Sequence, residues 1–352
     1  MISIKRLLSL GALIGASVIL SACERPPIES VQNGFRGTGM ATVYNPRTLA
    51  AEAEKNEVPV SIPAAADGPK AGAVYKNVKV LGNLSVAQFT NFMVSMTSWV
   101  APEQGCAYCH NVANFAEDSH YTKIVSRKMI QMTQRINVEW KSHVAETGVT
   151  CYTCHRGNNI PQNVWFTDPA KPQGSGFLSG KNGQNTPSPS VGMSDLPYDP
   201  FTPYLLKAEN IRMNGPTALP TGNKNSIQDT EKVFGLMVHM SKSLGVNCAY
   251  CHNTRSMPEW SQSPPQRMTA WYGIRMARDI NNNYMVPITN VFPAHRLGPE
   301  GDVAKANCAT CHQGAYKPLY GVSMLKDYPF LTGTPAPRAA PKAEEKKTVA
   351  MK

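Results

Sequence analysis

The 352-residue sequence predicts a mainly α, loop-rich protein built from two related halves, and three observations carry that expectation. Four Cys-x-x-Cys-His segments recur along the chain: C106-A-Y-C109-H110, C151-Y-T-C154-H155, C248-A-Y-C251-H252 and C308-A-T-C311-H312. The stretch before the first motif returns before the third, with F92-M93-V94-S95-M96 matching L236-M237-V238-H239-M240. The stretch before the second returns before the fourth, with M132-T-Q-R-I-N137 matching M276-A-R-D-I-N281. Duplication of a two-motif unit is the simplest account of this similarity. Glycine and proline number 26 and 28 while only 42% of residues are hydrophobic, so long apolar elements alone cannot fill the core.

Taken in order, the chain opens with Lys5 and Arg6, the apolar run Leu7 to Leu20, and then Leu20-Ser21-Ala22-Cys23. A charged start, a short apolar stretch and small residues before a cysteine predict a lipoprotein signal over 1–22. Cleavage there leaves a mature chain of 330 residues carrying diacylglycerol on Cys23; the alternative is an uncleaved anchor helix. Either places the folded part outside the cytoplasmic membrane. Residues 23–83 are expected to form an anchored surface segment, with few periodic elements between Gly37 and Pro69. The first unit, 84–168, contains a helix from Val86 to Trp99 capped by Ser85, and a second opening at Tyr121 or Thr122 and running to about Ala145. A connecting segment follows over 169–227, read as an exposed crossover where Pro, Gly, Ser and Asn crowd between Pro169 and Gly192. The second unit, 228–331, starts a helix at Ser226 or Asp229 that ends by Gly245. Pro264 and Pro265 then precede a helix over Gln266 to Asn282. Gly157 and Gly314 allow sharp turns after the second and fourth motifs, and the Pro-, Ala- and Lys-rich tail 332–352 is predicted to be disordered.

Cys-x-x-Cys-His is the pattern of covalent c-type haem attachment: two thiols bond the porphyrin vinyl groups and the histidine ligates iron. Four complete copies use eight of the nine cysteines, which predicts four covalently attached haem c groups and a multihaem cytochrome. Zinc is the competing occupant, but no second cysteine pair lies near any one motif. Thioether formation needs reduced thiols, so these eight are not four disulfides. The formal charge of +11 first suggests nucleic acid or an anionic surface as a partner. Loss of Lys5 and Arg6 and addition of eight haem propionates bring the assembled molecule to about +1, which removes that argument.

A haem used for outer-sphere electron transfer needs a second axial ligand on iron. Met93 and Met96, Met129 and Met132, and Met237 and Met240 stand three residues apart, so each pair shares a helical face and spacing does not choose between its members. Methionine is also a common core filler. Setting Met132 against Met276 puts Gly273 opposite Met129, leaving the fourth motif without the first methionine. His143 is the best replacement, about 20 Å beyond Met129 along a continuous helix and about 40° around it. His120, His239, His295 and Met276 are also available.

The mature chain resembles the tetrahaem cytochrome subunit of purple-bacterial photosynthetic reaction centres. The likeness covers the lipoprotein start, the motif intervals, G148-V-T-C-Y-T-C-H-R-G157, W271-Y-G-I-R-M-A-R-D279 and L325-K-D-Y-P329. It implies that Met93 and His110 ligate the first haem, Met129 and His155 the second, Met237 and His252 the third, and His143 and His312 the fourth. It implies an electron carrier, not an enzyme, on the periplasmic face of the photosynthetic membrane. Electrons would come from a soluble cytochrome c or a high-potential iron–sulfur protein and pass to the photo-oxidised bacteriochlorophyll special pair. The partners implied are the reaction-centre L and M subunits with H in the same complex. A membrane-anchored cytochrome serving a terminal reductase is the alternative. Arg25, Arg36 and Arg47 are candidates for contact with reaction-centre loops or lipid headgroups, and Arg267, Arg275 and Arg278 for compensating propionates.

Overall fold

The computed structural model describes residues 29–32, 41–61, 63–169, 187–214 and 223–333. Cys23 with its leader, Arg25, Arg36, residues 170–186 and the tail from 334 lie outside the described residues. The described part is predominantly helical with long loops, and its one sheet is a two-stranded antiparallel pair, β1 (Glu29–Gln32) with β2 (Ala41–Tyr44), Glu29 opposite Tyr44. Helix α1 (Pro46–Lys55) follows, with proline in its first turn and the Asn45 side chain accepting from the Arg47 amide. This ten-residue helix falls where the sequence reading expected little periodic structure. A short turn of helix, α2 (Ala71–Val74), leads into the first unit.

Helix α3 (Val86–Val100) opens on Ser85, the cap the sequence predicts, which forms a capping box with Gln88. Helix α4 (Tyr121–Glu139) stops earlier than expected. The chain breaks at Trp140 (φ −109°, ψ 27°) before a one-turn helix, α5 (Lys141–Val144). The break has a tertiary cause: the Trp140 indole donates to the Asp279 carboxylate at 2.8 Å, and Arg135 Nε reaches the same oxygen at 3.2 Å. Helix α6 (Cys151–His155) carries the second motif. In the second half, α7 (Ile227–Leu244) starts at a Ser226–Asp229 capping box and ends on left-handed Gly245. Helix α8 (Gln266–Ile280) passes into a π turn at Asn281–Met285, and α9 (Cys308–His312) carries the fourth motif.

The halves repeat their contacts, not only their sequence. Asn137 holds Val149, two residues before Cys151, through both its side-chain groups at 2.9 and 2.7 Å. Asn281 holds Ala306, two residues before Cys308, in the same way at 2.9 and 2.8 Å. The Gly157 amide donates to the Trp99 carbonyl and the Gly314 amide to the Ser243 carbonyl, both at 2.8 Å, so each α3 or α7 C-terminus receives the loop after the second motif of its half. Motifs one and three form 3-10 turns; motifs two and four form single α turns that end in left-handed Arg156 (φ 48°) and Gln313 (φ 47°).

Apolar burial supplies the stability around this frame. Phe92 and Trp99 of α3 pack with Ile130 of α4 and with Tyr328 and Leu331 from the end of the described chain. Tyr328 meets Trp99 edge-on with ring centres 4.9 Å apart. A second cluster joins Trp165, Phe201, Tyr204 and Leu205 to Leu236 of α7 and Ile274 of α8. Each fully buried large side chain of this kind contributes about 1.5–3 kcal/mol. Asn137 also donates to the Leu331 carbonyl and Asn281 to that of Leu205, so a segment late in the chain and one before the second-half helices are each pinned beside a helix that precedes a motif. Val191 is fully buried, so the crossover packs onto the fold at its end instead of running exposed throughout.

Candidate haem sites

The thiols and histidine of the first, second and fourth motifs all border one cavity, and Cys251 of the third borders it too, without Cys248 or His252. All four histidines use Nδ1 in the same way. His110 donates to the Phe115 carbonyl at 3.2 Å, His155 to Asn158 at 2.8 Å, His252 to Met257 at 3.0 Å and His312 to Ala315 at 2.9 Å. A carbonyl only accepts, so Nδ1 carries the proton and Nε2 keeps the lone pair that a metal needs. Burial pushes the His155 imidazole below its ordinary pKa and that of His312 down to about 4, which keeps both neutral. Burial also pushes the Cys109 thiol up to about 11 and the Cys151 and Cys308 thiols up to about 12. Among the described residues, no three His, Cys, Asp or Glu side chains converge as a metal ion such as zinc would require.

A largely apolar cavity of about 880 Å³ runs between the motifs, lined by residues of all four. Met93 and Met96 both border it, as do Met129 and Met132. Of the third pair, Met240 borders it; Met237 packs beside the cluster around Leu236. Met276 lies on the wall but is embedded with Ile136, Val149 and Ile280. The motif surfaces of α6 and α9 meet, with Cys154 Sγ and Cys311 Sγ 2.7 Å apart.

The helix break at Trp140 re-aims His143. Its Nδ1 donates to the Thr269 carbonyl of α8 at 2.9 Å, leaving Nε2 as in the motif histidines. Its ring faces that of His312, with centres 6.0 Å apart and planes at 66°. The other spare histidines differ. His239 is buried against Phe201 at 4.6 Å with its Nε2 at 3.2 Å from Ser243 Oγ, His120 contacts Ser119, and His295 is exposed.

Asn137 and Asn281, which position the attachment turns, had no role assigned from sequence; their recurrence at matching places in the two repeats is the signal that marks them. Asp118 was also missed. It binds Arg127 at 2.9 Å and Lys79 and Lys123 at 3.1 Å beside the first motif, while Lys123 holds the Phe115 carbonyl that serves His110. Three cations facing one carboxylate left no pattern in the local sequence. The α8 arginines have protein partners: Arg267 lies 4.2 Å from the Trp260 ring, Arg275 lies 4.5 Å from the Trp271 ring, and Arg278 donates to the Tyr204 carbonyl.

The sequence profile of the photosynthetic reaction centre cytochrome c subunit family matches residues 24–332. The chain is 55% identical over 341 residues to the photosynthetic reaction center cytochrome c subunit of Rubrivivax gelatinosus, covering 96% of this chain and 93% of that protein. The chain belongs to the photosynthetic reaction centre cytochrome c subunit family. It is 50% identical to the subunit of Thermochromatium tepidum over 94% of this chain and 84% of that protein. Identity is 40% to that of Roseobacter denitrificans over 93% and 91%. As a reaction-centre cytochrome c subunit it is a haem-bearing electron carrier and not an enzyme. Among the described residues no helix is long and apolar enough to cross a membrane.

Proposed function

We propose that this subunit carries four covalent haem c groups, takes electrons from a soluble periplasmic cytochrome c or high-potential iron–sulfur protein, and delivers them to the photo-oxidised bacteriochlorophyll pair of a reaction centre. The near-full-length family match carries this reading. The uniform Nδ1 anchoring of the four motif histidines supports a haem at each motif. When bound, each haem supplies reversible one-electron exchange at iron.

Cys106 and Cys109, Cys151 and Cys154, Cys248 and Cys251, and Cys308 and Cys311 are the attachment thiols. Met93 with His110, Met129 with His155, Met237 with His252 and His143 with His312 would hold the four irons. The fourth pair is supported by the approach of its two rings, 6.0 Å between centres, and by the Nδ1 of each being committed to a backbone carbonyl, which would leave both Nε2 atoms for iron. Thioether is a softer and weaker donor than imidazole, so three His/Met sites and one bis-His site give an uneven series of potentials. The matched Asn137 and Asn281 clamps support two pseudo-symmetric dihaem units, 84–168 and 228–331, with 23–83 as an anchored surface segment and 169–227 as their connection. Diacylglycerol on Cys23 holds the mature chain on the periplasmic face, against the L and M subunits with H in the same complex. Flash absorption in native membranes is the test. The special pair should recover more slowly without this subunit, and transient haem oxidation should accompany recovery with it. Equal recovery and no haem transient would overturn the assignment.

A further inference from the structure

Helix α8 has a gap where the corresponding helix of the other half has a side chain. In the register that sets Met132 against Met276, Met129 of α4 corresponds to Gly273. Gly273 sits inside a regular right-handed helix, so backbone conformation does not call for glycine, which costs a helix about 1 kcal/mol relative to alanine. Close approach does call for it. A Cβ at 273 would stand 2.5 Å from Cε1, 2.9 Å from Nδ1 and 3.1 Å from Nε2 of His143. Helical side chains lean toward the N-terminus, so any side chain here would also cover the Thr269 carbonyl one turn earlier, the acceptor of His143 Nδ1.

We infer that Gly273 is the positioning residue that makes the fourth haem site bis-histidine. Its missing side chain admits the His143 imidazole opposite His312, and it withholds the thioether that Met129 offers at the matching place. The inference rests on the His143–His312 pair proposed above. His143 cannot retreat cheaply from an added methyl group, because its ring is tied to Thr269 on one side and faces His312 on the other.

The test uses the full-length, haem-loaded protein and three variants: His143→Ala, Gly273→Ala, and Gly273→Met combined with His143→Ala. Carbon monoxide binding to the reduced protein reports an open iron, and the thioether–ferric absorption band reports methionine ligation. His143→Ala should open one haem per chain. Gly273→Ala, with His143 intact, should raise the carbon monoxide affinity of that same haem on the order of tenfold or more. The double variant should close it again, gain thioether absorption and raise its potential. Unchanged carbon monoxide binding in Gly273→Ala, when His143→Ala opens the haem, overturns the role of Gly273 alone. Should Gly273→Ala fail to accumulate, the double variant decides, and a haem that stays open overturns the inference. If His143→Ala opens no haem, the ligand pair itself is wrong.

Discussion

At Met129 and Asp118, single side chains have separable consequences. Met129→Leu keeps the volume but removes the sulfur, so one iron should gain affinity for external ligands and shift mainly its own redox transition. Redox titration would reject the assignment if all four transitions coincided with those of the parent. Asp118 controls stability instead. Its hydrogen bonds from Arg127, with support from Lys123 and Lys79, hold its carboxyl well below the usual carboxylate range. A depressed carboxylate stabilises the fold above the unfolded pKa of about 4, and that contribution disappears as pH falls through the folded value. Asp118→Asn should therefore cost about 1 kcal/mol at neutral pH, since the group is partly exposed, and progressively less below about pH 4. A Tm difference that is the same at pH 3 and pH 7 would contradict this.

Among elements, the decisive contacts are those that tie a helix to the attachment turn beyond it. Asn281 is fully buried and joins Ala306 and Leu205 to the end of α8. Asn281→Ala would strand several buried backbone groups and should cost about 3 kcal/mol, whereas its exposed neighbour Asn282, which holds only the Leu206 carbonyl, should cost under about 1 kcal/mol. Thermal unfolding of the haem-loaded variants separates the two, and equal Tm losses would remove the special role of the clamp. The break between α4 and α5 belongs to this scale as well. Sequence periodicity suggested a continuous helix to about Ala145, because nothing between Glu139 and Ala145 is a helix breaker. Trp140 ends the helix through an indole bond to Asp279, 139 positions away, which no local rule contains.

For the whole molecule, the cavity among the motifs accounts for a composition poor in apolar residues: cofactor, not side chain, is expected to complete the core. The denatured mature protein should retain a mass increase of about four haem groups, because thioether bonds survive unfolding. Recovery of a porphyrin-free chain containing zinc would refute this. At the membrane, Cys23→Ser should abolish lipid attachment while leaving the four motifs intact, and mass spectrometry finding an unmodified Cys23 in native mature protein would exclude the anchor.

The four Cys-x-x-Cys-His motifs and the repeated stretches before them are legible in the sequence, and the mainly helical, loop-rich fold was legible with them. Covalent haem attachment needs two cysteines and a histidine within one turn, so its chemistry is written locally. Capping by Ser85 and Ser226 and the stop at Gly245 were legible for the same reason, since caps act over three or four residues. Tertiary structure decided which way His143 points, because the acceptor of its Nδ1 is 126 residues away and its ring depends on the space left by Gly273 on another helix. It also decided that Asn137 and Asn281 are clamps and that Tyr328 and Leu331 return to the core of the first half. Those outcomes depend on distance between helices, and a linear pattern holds no measure of that distance.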